Sequence, residues 1–161
     1  MVLIRSATAQ DDAFLQQMLA IAADWRPGAS VRSIREILSE PTLSHYIAGW
    51  PIAGDVGVVA EEEGHVGAAW WRFFSGDDPG YGFVDESVPE LTVAVIPRAR
   101  RRGAGARLLE ALIDEARSRG LAKLSLSVEG DNPAMSLYQR LGFVTVGRTS
   151  GSFTMVVTVE S

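Results

Sequence analysis

One stretch of the chain gathers residues able to hold an anion. From Glu90 to Leu109 it reads ELTVAVIPRARRRGAGARLL. Arg98, Arg100, Arg101, Arg102 and Arg107 crowd around two glycines, Gly103 and Gly105. A strand pattern, Glu90–Ile96, stops at Pro97, and a helical pattern begins at the glycines. Strand, basic glycine loop and helix together suit a phosphate. The first N–H groups of a helix have no acceptor inside it, and the helix dipole places its positive end there. Glycine lets an anion approach the backbone, and arginine adds charge at the rim. On charge alone, a solvated loop that happens to be basic explains the stretch equally well.

Motif spacing separates the phosphate chemistries. A P-loop requires Gly, four residues and Gly-Lys-Ser/Thr, and the only lysine, Lys123, lies elsewhere. A dinucleotide fingerprint requires GxGxxG, and the segment beginning Gly103-Ala104-Gly105 has Leu108 at the third glycine. A third pattern, (Arg/Gln)-x-x-Gly-x-(Gly/Ala), is met by Arg100-x-x-Gly103-x-Gly105. Val95-x-Pro97-x-x-Arg100 precedes it and Leu108-Leu109 follows. Downstream come Val128-x-x-x-Asn132 and Leu137-Tyr138-x-x-Leu141-Gly142-Phe143, and the chain opens with Ile4-Arg5-x-Ala7-Thr8-x-x-Asp11. On these motifs the chain resembles the GNAT acetyltransferase family over about residues 3–158.

The resemblance implies transfer of an acetyl group from acetyl-coenzyme A, a cosubstrate, to an amine. Such a site must hold a polyanion, stabilise an oxyanion, meet a neutral amine and stabilise the departing thiolate. By resemblance, the cofactor-binding residues are Arg100 with the backbone of Arg101, Arg102, Gly103, Ala104, Gly105 and Ala106 for the pyrophosphate. Val93, Ala94 and Val95 would pair with the pantetheine arm like an added strand, with the Val95 amide facing the oxyanion. Asn132 matches a coenzyme A contact and also reads as a helix N-cap before Pro133. Tyr138 matches the tyrosine that commonly protonates the leaving thiolate, and also reads as an aromatic packed under its helix. Glu90 and Glu86 are the candidate bases, each with a plain reading as a loop or strand-end charge. Some N-terminal-amine acetyltransferases of the family carry glutamate where this chain has Ser127, which weighs against protein N-terminal acceptors. Trp25, Tyr81, Phe83, Asp85 and Glu86 are the candidate acceptor contacts, with Tyr46 and Trp50 in the same regions. Aromatics with carboxylates suit a cationic amine, and each aromatic taken singly reads equally as core. A small-molecule amine is the expected acceptor. Acetylation of a protein lysine or N-terminus, and a non-catalytic acyl-coenzyme A sensor, are the alternatives.

Around these residues the patterns predict a mixed α/β fold. Val2–Arg5 reads as a strand, Thr8 and Asp11 as a capping box, and Phe14 to Trp25 as a helix. Ser30 is placed as the cap of a short second helix that Pro41 ends, and Thr42–Asp55 as irregular. Val56–Glu61 and Val66–Phe74 flank a hairpin turn at 62–65; Ser75–Gly82 reads as a loop. Gly103–Arg119 is the clearest helix, with Gly120 at its C-terminal cap. Lys123–Glu129 alternates, Leu124, Leu126 and Val128 on one side and Ser125, Ser127 and Glu129 on the other. Pro133–Leu141 is a short helix, and Phe143–Gly147 with Ser152–Val159 a final strand pair. The expectation is one domain, residues 1–161: a mostly antiparallel six- to seven-stranded sheet flanked by four helices, with the family's splayed central strand pair.

Composition narrows the rest. The 161 residues are 47% apolar and 22% charged, near globular averages, which argues against disorder. No apolar run approaches ~18 residues, and the three-residue run before Arg5 is too short for a signal peptide, so no membrane partner and a cytoplasmic location are expected. Absence of cysteine excludes disulfides and thiolate chemistry; two histidines, His45 and His65, exclude a three-histidine zinc site, and no metal is expected. A net charge of −5 disfavours nucleic acid. The final strand pair, through Phe153, Met155, Val157 and Val159, could offer an edge or face to a second copy, homodimers being common in the family.

Overall fold

The structure, a computed structural model, describes residues 1–159. Seven strands are hydrogen-bonded in the order β1-β2-β3-β4-β5-β7-β6, and every pairing registered among them is antiparallel except β4 with β5. Two compact units make up the chain: Met1–Trp71 with Thr92–Leu112, and Arg72–Leu91 with the residues from Ile113 on.

The first unit contains β1 (Leu3–Ser6), α1 (Asp12–Ala23), α2 (Ile34–Leu38), α3 (Pro41–Ser44), β2 (Val56–Glu61), most of β3 (His65–Arg72), the later part of β4 (Glu90–Val95) and the start of α4 (Ala104–Ser118). The capping box forms as its residues require: Thr8 accepts from Gln10 N at 3.2 Å and the Asp11 carboxylate from Thr8 N at 2.7 Å. The second cap differs from expectation. Ser33, not Ser30, starts α2, because Ser33 and Glu36 close a full box (3.0 and 3.1 Å). Asp24 meanwhile holds Arg32 by its backbone N (2.7 Å) and its guanidinium (2.8 Å), outside the helix. Pro41 starts a further helical turn, α3, instead of only ending α2, and so five α-helices form among the described residues where four were expected. Trp70 and Trp71 point to opposite faces of β3, and both are buried. Their indole N–H groups donate to Tyr46 O and Gly54 O at 2.9 Å each. Trp50 is buried too and donates to Thr8 O. Tyr46 and Trp50 are thus core residues, each large side chain stabilising the fold by ~1.5–3 kcal/mol.

The second unit contains the start of β4, the end of α4, β5 (Lys123–Glu129), α5 (Ala134–Arg140), β6 (Val144–Thr149) and β7 (Ser152–Thr158). Gly120, at φ +73°, ends α4: its N–H donates to Arg117 O, and Leu121 N donates back to Ala116 O at 3.0 Å. β7 lies between β5 and β6, and its Met155 and Val157, with Val159, are buried. The expected free face is therefore not on β7. The terminal strand is β6, where Val144 and Val146 are exposed. Leu124, Leu126 and Val128 are buried as the alternation requires, but Ser125 on the other face is buried as well.

Candidate active site

The first unit carries the anion loop. β4 ends at Val95, a single 3-10 turn covers Pro97–Ala99, and α4 starts at Ala104. Between them Arg101 adopts φ +64° and Gly103 φ +83°. A backbone that visits the left-handed region twice within three residues curls its N–H groups into a concavity fit for an anion. Gly103 is free to do so; Arg101 is not, and its conformation costs ~1–2 kcal/mol that the surrounding loop must supply. A Cβ built on Gly103 meets nothing within 4 Å, so its positive φ and not crowding is what favours glycine there. Arg100 folds back, its Nε donating to Val95 O at 3.1 Å. Arg102 reaches Glu62 at 3.3 Å, and Arg107 donates to Val2 O. Arg98 donates to Glu63 O at 3.5 Å. The five arginines are thus not one undivided patch: four of them, all but Arg101, brace the loop and the strands beside it. Gly67 on β3 permits this packing, since a Cβ there would lie 2.9 Å from Ala94 O. Trp25, the one acceptor candidate in this unit, is half-buried at the end of α1, with the Arg26 guanidinium 4.7 Å over its ring.

The second unit carries the titratable candidates. Glu90, only 3% exposed, is the β4 residue whose register pairs with β5, opposite Ser125, and Ser125 N donates to Pro89 O at 3.0 Å. Tyr138 is buried on α5, its ring 5.9 Å from that of Phe143. Burial pushes its phenol up to about 12. Asn132 Oδ1 accepts from Ala134 N at 2.9 Å, which is the N-cap geometry expected of it. The connection from Phe73 to Pro89 holds Tyr81, Phe83, Asp85 and Glu86. Tyr81, Asp85 and Glu86 are exposed and Phe83 half-buried. Glu86 accepts from Gly76 N at 3.2 Å, tying the two limbs of that connection together. Asp85 accepts from the Ser87 hydroxyl at 2.5 Å, which holds its carboxyl below the usual range. Asp85 also lines a depression of about 460 Å³ with Ser87 and residues 120–123. Glu86 and Tyr81 do not line it.

Three features here were not anticipated. Gly82 presses on β5: a Cβ there would lie 2.6 Å from the Leu126 carbonyl carbon and 2.8 Å from Ser127 N. Ser125 is completely buried beside Glu90. Arg72, at the end of β3, is a buried cation, only 4% exposed. The glycine reads in sequence as one more loop residue, and Ser125 as part of a solvent face. Only the register exposes either. Among the described residues no group of three or more His, Cys, Asp or Glu side chains could hold a metal, and no helix is long and apolar enough to cross a membrane.

Comparison with known proteins places this geometry. Residues 18–143 match the acetyltransferase (GNAT) family. A mycothiol acetyltransferase of Saccharomonospora viridis is 34% identical over 142 residues, 85% of this chain and 44% of that protein. The chain thus spans less than half the length of this relative. A ribosomal protein bS18-alanine N-acetyltransferase of Salmonella typhimurium is 50% identical over 54 residues, 33% of this chain and 36% of that one. A Salmonella typhimurium protein solved with its cofactor acetyl-CoA superposes with a TM-score of 0.70 at 25% identity, over 100% of this chain and 95% of that one. The basic glycine loop, the strand leading into it and the helix of Tyr138 all fall inside the matched segment, and the chain belongs to the GNAT acetyltransferase family.

Proposed function

We propose that the chain is an acetyl-coenzyme A-dependent N-acetyltransferase, its residues working as one domain, that acetylates the primary amine of a small molecule by direct attack in a ternary complex. The observation that carries this is the doubly left-handed loop, Arg101 to Gly103, set at the N-terminus of α4. Its N–H groups and those of Ala104, Gly105 and Ala106 suit a pyrophosphate, and the arginine side chains left exposed suit further phosphate charge. The backbone of Val93, Ala94 and Val95 offers strand-like pairing to the pantetheine arm, and the Val95 amide a donor to the oxyanion.

On this reading the acceptor ammonium gives its proton to the Glu90 carboxylate, directly or through water. The amine lone pair attacks the thioester carbonyl, the C–S bond breaks, and the surplus proton on the new amide nitrogen passes, directly or through water, to the departing sulfur, which leaves neutral amide and free thiol. Glu90 is favoured over Glu86 because Glu90 is buried on a strand, whereas Glu86 is exposed and braces its own loop. Tyr138, near 12, keeps its proton throughout the working range. Full transfer to a thiolate of ordinary pKa ~8.5 is uphill by ~5 kcal/mol, so Tyr138 acts by hydrogen-bonding the thiolate as its charge grows. Tyr81, Phe83, Asp85 and Glu86, with Trp25, are the residues proposed to receive a cationic amine.

A second reading, acetylation of a polypeptide N-terminus, draws support from the segment 50% identical to a bS18-alanine N-acetyltransferase. Ser127, where such enzymes of the family carry a glutamate, weighs against it. A thiol-release assay decides between them: acetyl-coenzyme A is mixed with a panel of small amines and, separately, with peptides bearing free N-termini. Release with amines and not with peptides is the expected result. Release with peptides alone overturns the small-molecule reading, and release with neither overturns both.

A further inference from the structure

We infer that Ser125 is a positioning residue for the Glu90 carboxylate, its hydroxyl a donor held in reserve that turns onto the carboxylate when the acceptor is in place. The inference rests on the reading of Glu90 as the base. Ser125 is 0% exposed, and its Oγ has no hydrogen-bond partner among the described residues. Buried hydroxyls nearly always have a partner, because leaving one unpaired costs stability that alanine at the same place would not. The register sets Ser125 level with Glu90 on the neighbouring parallel strand, and the bond from Ser125 N to Pro89 O fixes the two backbones together. One residue further on, Gly82 of the connection after β3 lies against the β5 backbone at Leu126 and Ser127, and Ser125 itself is closed to solvent. A serine side chain has three staggered positions, so a rotation about χ1 can redirect its hydroxyl.

The other charged or titratable groups nearby do not blur the readout. Arg72, at the end of β3, is buried, and Tyr138 on α5, its phenol pushed up to about 12 by burial, stays neutral. Asp85, Glu86 and Tyr81 on the connection, and Lys123 on the Ser125 face of β5, are exposed; Glu129 on that face is half-buried. A hydroxyl that donates to a carboxylate favours its ionised form, so its removal moves protonation of Glu90 to higher pH.

The test compares Ser125→Ala with the unaltered chain, measuring kcat and kcat/KM for acetyl-coenzyme A and putrescine against pH. The acid limb of kcat, which reports the ternary complex, is expected to move up by roughly one pH unit, the size of one charge-assisted hydrogen bond. The limb of kcat/KM, which reports the free protein, stays where it is, and Tm is unchanged or higher. Ser125→Cys, with a weaker donor, moves the kcat limb by less. Where turnover is slow, the Glu90 carboxyl carbon is titrated by NMR in the unreactive complex with coenzyme A and putrescine, and the same difference between variants is expected. An unmoved kcat limb, equal shifts in both limbs, or a lowered Tm with an unchanged pH profile each overturns the inference. Glu90→Gln separates the two levels. If its acid limb survives, Glu90 is not the base and both readings fall. If the limb disappears while Ser125→Ala leaves it in place, the base stands and the role of Ser125 falls.

Discussion

The two units solve different problems with different parts of the chain. The loop at α4 is made almost wholly of backbone: two left-handed residues, a helix start, and arginines turned to brace it. The opposite is true around Glu90 and Tyr138. There the chemistry lies in side chains whose properties come from burial and register, a phenol pushed up by desolvation and a carboxylate beside a buried hydroxyl. Backbone sites tolerate changes of side chain and fail when φ is blocked. Side-chain sites tolerate changes of backbone composition and fail when one polar atom is removed. Coenzyme A binding is thus expected to reside chiefly in the first unit, with the Val95 amide, and the side chains that handle protons and the departing thiolate in the second.

The sharpest way to break that division is Tyr138→Phe. It should lower kcat about 100-fold, the loss of one hydrogen bond to the charge that grows on the departing sulfur, and leave the coenzyme A dissociation constant unchanged. An equal loss of binding, read by calorimetry, contradicts the division. The same substitution has a second effect on stability. A buried phenol keeps its proton in the folded chain where the unfolded chain, at 10.0, has lost it. Its stability is therefore intact below pH 10.0 and falls as pH rises toward about 12, by ~2–3 kcal/mol in all. Denaturant titrations across that window should show the fall in the unaltered chain and not in Tyr138→Phe. Gly103→Val acts on the other side. A β-branched residue at φ +83° is strained, and coenzyme A affinity should drop about tenfold while kcat at saturation holds. The smallest effect is expected from Arg102→Ala. Its ion pair with Glu62 is solvent-exposed, so thermal unfolding should show a loss of less than ~1 kcal/mol.

The same contrast governs what could be read from the amino acids. A backbone site leaves a trace in sequence because glycine and helix-start positions are fixed by geometry: Gly103, Gly105 and Arg100 sit at readable spacing, and Thr8 with Asp11 announces its helix. Where two residues compete for one role, spacing is not enough. Ser30 and Ser33 can both cap α2, and the outcome turns on Arg32 being held by Asp24, a contact between residues eight apart. The edge of the sheet escaped for a similar reason, since only strand order reveals that β7 is interior and β6 terminal. Ser125 and Gly82 were hidden more deeply. An alternating strand marks Ser125 as solvent-facing until the pairing with Glu90 and the Gly82 loop bury it.

The most direct test of the division pairs coenzyme A calorimetry with saturating kcat for the unaltered chain, Tyr138→Phe and Gly103→Val. The account predicts that the unaltered chain binds and turns over, that Tyr138→Phe binds equally well and turns over about 100-fold more slowly, and that Gly103→Val binds weakly and turns over normally once saturated. Failure of the unaltered chain to bind coenzyme A, or loss of both properties in both variants, would contradict it.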